Sequence, residues 1–230
     1  MNFSAIMLAN TRDLKFHRMT LQAIESLRSS MPWPPVGESE IVLVETNSDY
    51  EKIGSYSGVT VLTPGEKFNY NRFLNIGLAH RSKSEYTIIA NNDVIFHVDW
   101  LMKITYFMDY YHLDSASPRC PGWSQHDNLF ETVPDYEVFE GFNIGREFCG
   151  WCLVFRTSIL DQILPLDEQF EFWCQDNDMA IALSKKGFKH GLVKYSKVEH
   201  LGNQSHEVMS PEELKHYTAG MAERFHRKHG

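Results

Sequence analysis

Tyr86-Thr87-Ile88-Ile89-Ala90-Asn91-Asn92-Asp93 decides how this chain reads. A short apolar run rich in β-branched residues reads as a buried strand. This one ends in amide and carboxylate side chains. In open α/β sheets, ligands bind at the carboxyl ends of the strands. Asx residues there suit a divalent cation that carries phosphate oxygens, because Mg²⁺ or Mn²⁺ is held by few carboxylates plus the substrate's phosphates. Taken alone, the triplet is more often an Asx turn closing the strand, since Asn and Asp bond their own backbone. The rest of the chain decides between the two.

Outward from this run, strands alternate with helices, which predicts βαβ units and a largely parallel sheet. Phe3 to Leu8, Ile41 to Val44 and Val59 to Leu62 read as strands before it. Asn10 or Thr11 is the expected cap of a helix carrying Leu14, Leu21, Ile24 and Leu27, stopped at Met31-Pro32-Trp33-Pro34-Pro35 because proline cannot continue a helix. Asn69 reads as an N-cap, with Phe68 and Phe73 as a hydrophobic staple. Asp99 is expected to cap a helix whose Leu101, Ile104, Met108 and Tyr111 form one apolar stripe. From Pro118 to Phe148 periodicity gives way to Gly, Pro and aromatic residues, which predicts a long functional loop. Cys152 to Phe155 and His190 to Val198 return to strand. Asp176 to Lys186 reads as a helix closed by Gly187. Ser210-Pro211-Glu212-Glu213 is a capping box that opens a last helix.

Composition bounds the function. A chain of 230 residues with 43% hydrophobic and 23% charged residues reads as one globular domain. Its net charge of -8 gives no global footprint for nucleic acid, although Arg224-Phe225-His226-Arg227-Lys228-His229 forms a small basic tail. No apolar run has the length of a membrane span, and the first residues do not read as a signal peptide, so a cytoplasmic protein is expected. The four cysteines then read as reduced. Cys149-Gly150-Trp151-Cys152 is a C-x-x-C, but the strand-like Leu153-Val154-Phe155-Arg156 follows where a redox motif would have a helix. Zinc would need two further ligands, from Cys120 and Cys174. Buried small thiols are the default expectation.

Further stretches fall at strand ends or helix starts. Leu166-Asp167-Glu168-Gln169-Phe170-Glu171-Phe172-Trp173 leads into Gln175-Asp176-Asn177-Asp178. His200-Leu201-Gly202-Asn203-Gln204-Ser205 follows a strand. Leu8-Ala9-Asn10-Thr11-Arg12-Asp13 follows the first strand and is echoed by Glu45-Thr46-Asn47-Ser48 after the second. Together with Asn91-Asn92-Asp93 they resemble the GT-A glycosyltransferases, specifically the large inverting family 2. That family shows a strand ending in D-x-D or N-x-D, a "D-E-x-F … E-D-x-D-L" stretch with the catalytic base, and a later His near H-x-G-x-S. Asp167-Glu168-Gln169-Phe170, Asp176-Asn177-Asp178 and His200 match in that order, between Phe3 and Ser205.

The resemblance implies an α/β fold of the GT-A, Rossmann-like type with a mixed, mainly parallel central sheet. It implies a single domain over 1–230, with a nucleotide-sugar half at 1–117, an acceptor and catalytic half at 118–205 and a C-terminal helix at 206–230. The implied reaction moves a hexosyl or pentosyl group, with inversion, from a nucleoside-diphosphate sugar (a UDP-sugar first) to an acceptor hydroxyl, with Mn²⁺ or Mg²⁺. Asp93 would bind the metal and His200 would be a further ligand. Asp176 would be the general base. Asn10, Arg12, Glu45 and Asn47 would line the nucleotide pocket, and Asn71 or Arg72 would reach the base or phosphates. Asn91 would sit near the donor ribose or the metal's water shell, with Asn92 beside it.

The chain departs from the family at Asn91, at Gln175 where a Glu is usual, and at Glu45 where Asp is common. Asn91 and Gln175 leave open a non-catalytic module that binds a sugar nucleotide. The acceptor is open between a glycan, a small molecule and a modified DNA base such as a hydroxymethylated pyrimidine. Trp123, Tyr136, Phe139, Phe142 and Trp151 could build a pocket for a flipped base or pack the loop. Phe170, Phe172 and Trp173 could stack on a sugar or a nucleobase, or pack the core.

Overall fold

A computed structural model of the protein describes residues 2–30, 39–202 and 210–230. The run that opens the sequence argument is strand β4 (Tyr86–Asn91), buried from Tyr86 to Ala90. A strand buried on both faces suits the interior of a sheet with helices over it. β1 (Phe3–Ala9) lies parallel on one side of β4, followed by β2 (Glu40–Glu45) and β3 (Thr60–Leu62), all parallel. On the other side β8 (Cys152–Arg156) is antiparallel, and β6 (Ser115–Arg119) pairs with it. β9 (His190–His200) runs parallel to β6 and carries β7 (Val138–Glu140) and β5 (Val94–Phe96) as antiparallel partners.

The described residues thus form a nine-stranded sheet in the order β3-β2-β1-β4-β8-β6-β9-β5, with β7 on β9. β1, β2, β3, β4, β6 and β9 point one way, and β5, β7 and β8 the other. The sheet is mixed and mainly parallel, as expected.

Helices cover both faces. α1 (Leu14–Ser29) and α3 (Trp100–Tyr110) bury Ile24, Leu27, Leu101, Ile104 and Met108 against one face. α2 (Tyr70–His80), the short α5 (Thr157–Leu160) and α6 (Gln175–Lys185) bury Leu74, Leu78, Leu160, Met179 and Leu183 against the other. Each such side chain contributes about 1.5–3 kcal/mol by leaving water. α2 is seated very close to the sheet: a Cβ on Gly77 would lie 2.6 Å from Ile6 Cγ2 and 2.9 Å from Val44 Cγ2. Any larger residue there would lift α2 off the strands.

Local details differ from expectation in three places. The cap of α1 is Asp13, whose carboxylate accepts the N–H groups of Lys15 and Phe16 at 2.8 and 3.1 Å. The buried face of α1 therefore starts at Phe16, and Leu14 is 56% exposed. Asp99 stands at the N-terminus of α3 in a left-handed conformation and makes no capping bond through its side chain. Within the expected long loop lie α4 (Ser124–Thr132) and β7. Asn69 does cap α2, accepting the Arg72 N–H at 3.0 Å, and Phe68 meets Phe73 edge to face. The proline-rich stop at 31–35 lies outside the described residues.

At the C-terminus Ser210 and Glu213 form the expected capping box of α7 (Pro211–Lys215), which a π-turn joins to α8 (Met221–His229). No helix among the described residues is long and apolar enough to cross a membrane.

Candidate active site at the carboxyl edge of the sheet

β4, β1 and β2 end side by side, with Leu8 opposite Asn91 and Ala9 opposite Glu45. The loops after β1 and β2 make one cluster at this edge. Glu45 is 1% exposed. Its carboxylate accepts the Thr11 N–H at 3.0 Å, the Thr11 hydroxyl at 2.7 Å and the Asn47 N–H at 2.9 Å. Asn47 Nδ2 donates to Thr11 O at 2.5 Å. Glu45 is therefore engaged in tying the two loops into a rigid wall, and is not itself a free pocket-lining carboxylate. Asn10 is exposed at the rim, and the Arg12 guanidinium lies 3.6 Å over the Phe16 ring.

Asp93 and His200 form a second cluster. β5 follows Asp93 and pairs with the end of β9, setting Val94 opposite His200, and the Leu201 N–H donates to Asp93 O at 2.9 Å. This brings His200 Nε2 to 3.4 Å from Asp93 Oδ1. The approach is close but not aligned as a hydrogen bond, so Asp93 Oδ1 is buried without a donor among the described residues. Trp151 stacks on the imidazole with ring centroids 4.9 Å apart and planes 11° apart. Its carbonyl accepts the Asn91 N–H at 2.9 Å, which ties the loop before β8 to the strand end. Asn203, Gln204 and Ser205 lie outside the described residues.

Asp176 sits in the first turn of α6, while the cap position belongs to Cys174 in a left-handed conformation. Asp176 Oδ1 accepts the Asn177 N–H at 2.9 Å. Gly150 is so close that a Cβ there would lie 2.9 Å from Asp176 Oδ2. Burial raises the pKa of Asp176, partly opposed by backbone N–H groups at the helix start.

Tyr70, the first residue of α2, links the elements. Its hydroxyl donates to Asn91 Oδ1 at 3.3 Å, and its N–H donates to Glu171 O at 2.6 Å. Burial, then the charges of Asp176 and Asp93, raise the pKa of the phenol, so it remains a donor. Sequence reasoning missed Tyr70; its signal was its place at the first helical position after the Asn69 cap.

Three expected pocket residues are engaged elsewhere. Asn92 Nδ2 donates to Thr20 Oγ1 at 2.9 Å, which pins the strand end to α1. Arg72 lies between Glu66 at 2.8 Å and Glu168 at 3.4 Å on the outer side of α2. Asn71 Nδ2 donates to Asp167 O at 2.8 Å and holds the segment before α6.

The basic tail folds back on that same segment. Lys228 Nζ reaches Asp167 at 2.7 Å and Asp178 at 2.6 Å, His229 Nε2 reaches Asp178 at 2.7 Å, and Arg224 meets Glu171 at 2.9 Å. The tail thus pairs with the protein's own carboxylates and braces the start of α6.

Cys149 and Cys152 are buried, and burial raises both thiols above their ordinary pKa. All four cysteines are free. Buried, protonated thiols are poor nucleophiles and poor ligands. The Cys120 N–H donates to His126 Nδ1 at 2.9 Å, so the ring carries its proton on Nε2, 3.2 Å from Cys149 Sγ. Among the described residues, no three His, Cys, Asp or Glu side chains gather as a metal cage.

Buried polar atoms are rarely left without partners, and those that are call for a reason such as a bound ion or water. Asp93 Oδ1, Trp151 Nε1 and Gln175 Oε1 are all in this state. They belong to the residues at or next to the Asp93–His200 pair and Asp176.

No protein-family model and no curated protein sequence matches the chain. In fold it is similar to S. aureus TarS. Against the crystal structure of TarS 1-349 the TM-score is 0.62 at 14% identity, over 96% of this chain and 64% of that one. Against the crystal structure of S. aureus TarS the TM-score is 0.61 at 14% identity, over 96% and 39%. The chain therefore spans less than two thirds of either. At this identity the likeness shows a shared fold.

Proposed function

We propose that the protein is an inverting glycosyltransferase of the GT-A family 2 type, moving a sugar from a nucleoside-diphosphate sugar to an acceptor hydroxyl. The observation that carries this assignment is the meeting of a buried carboxylate without a donor, Asp93, with His200 at one strand end, with the half-buried Asp176 close enough to act on the same Tyr70. The residues fit a divalent cation: a carboxylate oxygen lacks a hydrogen-bond donor and an imidazole stands beside it, which leaves the other coordination positions to phosphate and water. Asp93 and His200 would hold Mn²⁺ or Mg²⁺, which when bound would stabilise the charge of the departing diphosphate.

The chain's own residues do the rest. The wall built on Glu45, with Asn10 and Arg12 at its rim, receives the nucleotide, a UDP-sugar first. Asp176 takes the proton of the acceptor hydroxyl. A carboxyl whose pKa is raised by burial is a stronger base than an exposed one, and general-base assistance is worth about 10²–10⁴ in rate. A single displacement, with the base opposite the leaving diphosphate, inverts the anomeric carbon.

The pairing of Arg224 and Lys228 with the protein's own carboxylates weighs against a DNA acceptor, because phosphate binding draws on free cations. A second reading, a module that binds a sugar nucleotide without turnover, is favoured by the neutral Gln175 beside Asp176.

The test is release of nucleoside diphosphate from a panel of nucleotide sugars, with Mn²⁺ and with glycan or small-molecule acceptors. Turnover by the wild type that Asp176→Asn loses, with donor binding kept, is expected. Donor binding without turnover under any acceptor would leave the binding module. No binding would exclude both.

A further inference from the structure

Asn91 stands beside Asp93 as a neutral side chain at the strand end where an acid would add a second metal-binding carboxylate. Its surroundings give it a different task. Its backbone N–H is taken by Trp151 O at 2.9 Å, and its Oδ1 by the Tyr70 hydroxyl at 3.3 Å. Its Nδ2 has no hydrogen-bond partner among the described residues, and the side chain is half-buried at the end of β4.

Tyr70 is well placed to fix that amide. Its own N–H is anchored on Glu171 O at 2.6 Å, Asn69 caps the helix it opens, and Gly77 seats that helix on Ile6 and Val44. An amide whose oxygen is engaged presents its NH₂ group, which donates and does not ligate cations. With Asp93 and Asp176 both acting on this spot, a further carboxylate would face like charges.

We propose that Tyr70 is a positioning residue that turns Asn91 so that its Nδ2 donates to the diphosphate oxygens of the sugar nucleotide, in place of giving an oxygen to the cation. This inference rests on the sugar-nucleotide reading of the site. Asn91 would then neutralise part of the diphosphate charge by hydrogen bonding, and Asp93 with His200 would be left to hold the cation.

The experiment is calorimetric titration of UDP, GDP, ADP, CDP and dTDP, with and without Mn²⁺, on wild type, Tyr70→Phe, Asn91→Ala and Asn91→Asp, with thermal unfolding as the control for folding. Losing one such hydrogen bond corresponds to about a five- to tenfold weaker affinity, so Tyr70→Phe and Asn91→Ala should each show that loss for the nucleotide that binds, with Mn²⁺ affinity unchanged. In turnover, Tyr70→Phe should lower kcat/KM for the donor by at least the same factor, because charge builds on the diphosphate as it leaves. Asn91→Asp should bind the nucleotide more weakly than Asn91→Ala. Tighter Mn²⁺-dependent binding by Asn91→Asp would make residue 91 a cation ligand and overturn the inference, as would unchanged affinity in Tyr70→Phe. No binding by the wild type would remove the donor-site reading and this inference with it.

Discussion

His200 Nε2 lies 3.4 Å from Asp93 Oδ1, joined across the pairing of β5 with β9, and the carboxylate oxygen has no hydrogen-bond donor among the described residues. A buried acceptor in this state costs stability, which a ligand can recover. His200→Ala should weaken Mn²⁺ binding by about tenfold or more, in the range seen when groups around a metal site are removed. Electron paramagnetic titration of free Mn²⁺ reads this directly, and unchanged affinity would take His200 out of the site. Asp93→Asn should keep or raise the melting temperature, because the amide places less charge in the buried position.

Gly150 leaves room for Asp176 and nothing more. A Cβ at 2.9 Å from Oδ2 must displace the carboxylate, so Gly150→Ala should lower kcat by about tenfold or more while leaving donor affinity near the wild-type value. With Asp176 as the proposed base, which would work deprotonated and whose pKa burial raises, the acidic limb of the kcat/KM profile should lie above the ordinary carboxylate range. A limb at the pKa of an exposed Asp would contradict this placement.

His126 and His190 are neutral core residues. Burial pushes His126 down to about 4 and His190 down to about 3. His190 Nε2 donates to Glu147 O at 3.0 Å and its Nδ1 accepts the Ser115 hydroxyl at 2.8 Å, a pattern the protonated ring cannot keep. Both folded-state values lie below that of the unfolded chain, so the unfolded state binds more protons. The stabilisation is whole above pH about 6.5 and is lost as pH falls toward 4 and then 3. Each tenfold difference in proton affinity between the folded and unfolded chain is worth about 1.4 kcal/mol. Chemical denaturation at stepped pH should show this slope, reduced in His190→Gln. A flat profile from pH 7 to 4 would contradict it.

Lys228 bridges Asp167 and Asp178, and Asp178 is buried. Lys228→Ala should destabilise the fold by about 1–3 kcal/mol, because it removes the ammonium shared by Asp167 and buried Asp178 and leaves Asp178 with His229 alone. Lys228→Arg should recover part of that loss. Urea unfolding measures both, and an unchanged midpoint in Lys228→Ala would show that the tail does not brace α6.

The fold was legible because its signals are local and strong: the apolar run ending at Asn91, the Asn69 cap, the Ser210 capping box. The strand edge was legible too, since Asp93, Asp176 and His200 each stand beside a recognisable boundary. What could not be read was direction. Asn92 points to Thr20 on α1, Arg72 is held by Glu66 and Glu168, and Glu45 is spent on Thr11 and Asn47. Periodicity gives the face of an element but not which distant partner claims a polar side chain. The roles of Tyr70 and Gly150 depend on contacts with Asn91 and Asp176, far along the chain, which sequence spacing does not carry. The sequence shows the tail only as a run of cations; its carboxylate partners lie about the start of α6, also far away in sequence.

The most direct test of the sugar-nucleotide site is calorimetric titration of nucleoside-diphosphate sugars, UDP-sugars first, on wild type and Asp93→Ala, with and without Mn²⁺. Saturable binding by the wild type that requires Mn²⁺ and disappears in Asp93→Ala is the expected result. Failure of every nucleotide sugar to bind, or equal binding by Asp93→Ala, would contradict it and return Asn91-Asn92-Asp93 to a turn that closes a strand.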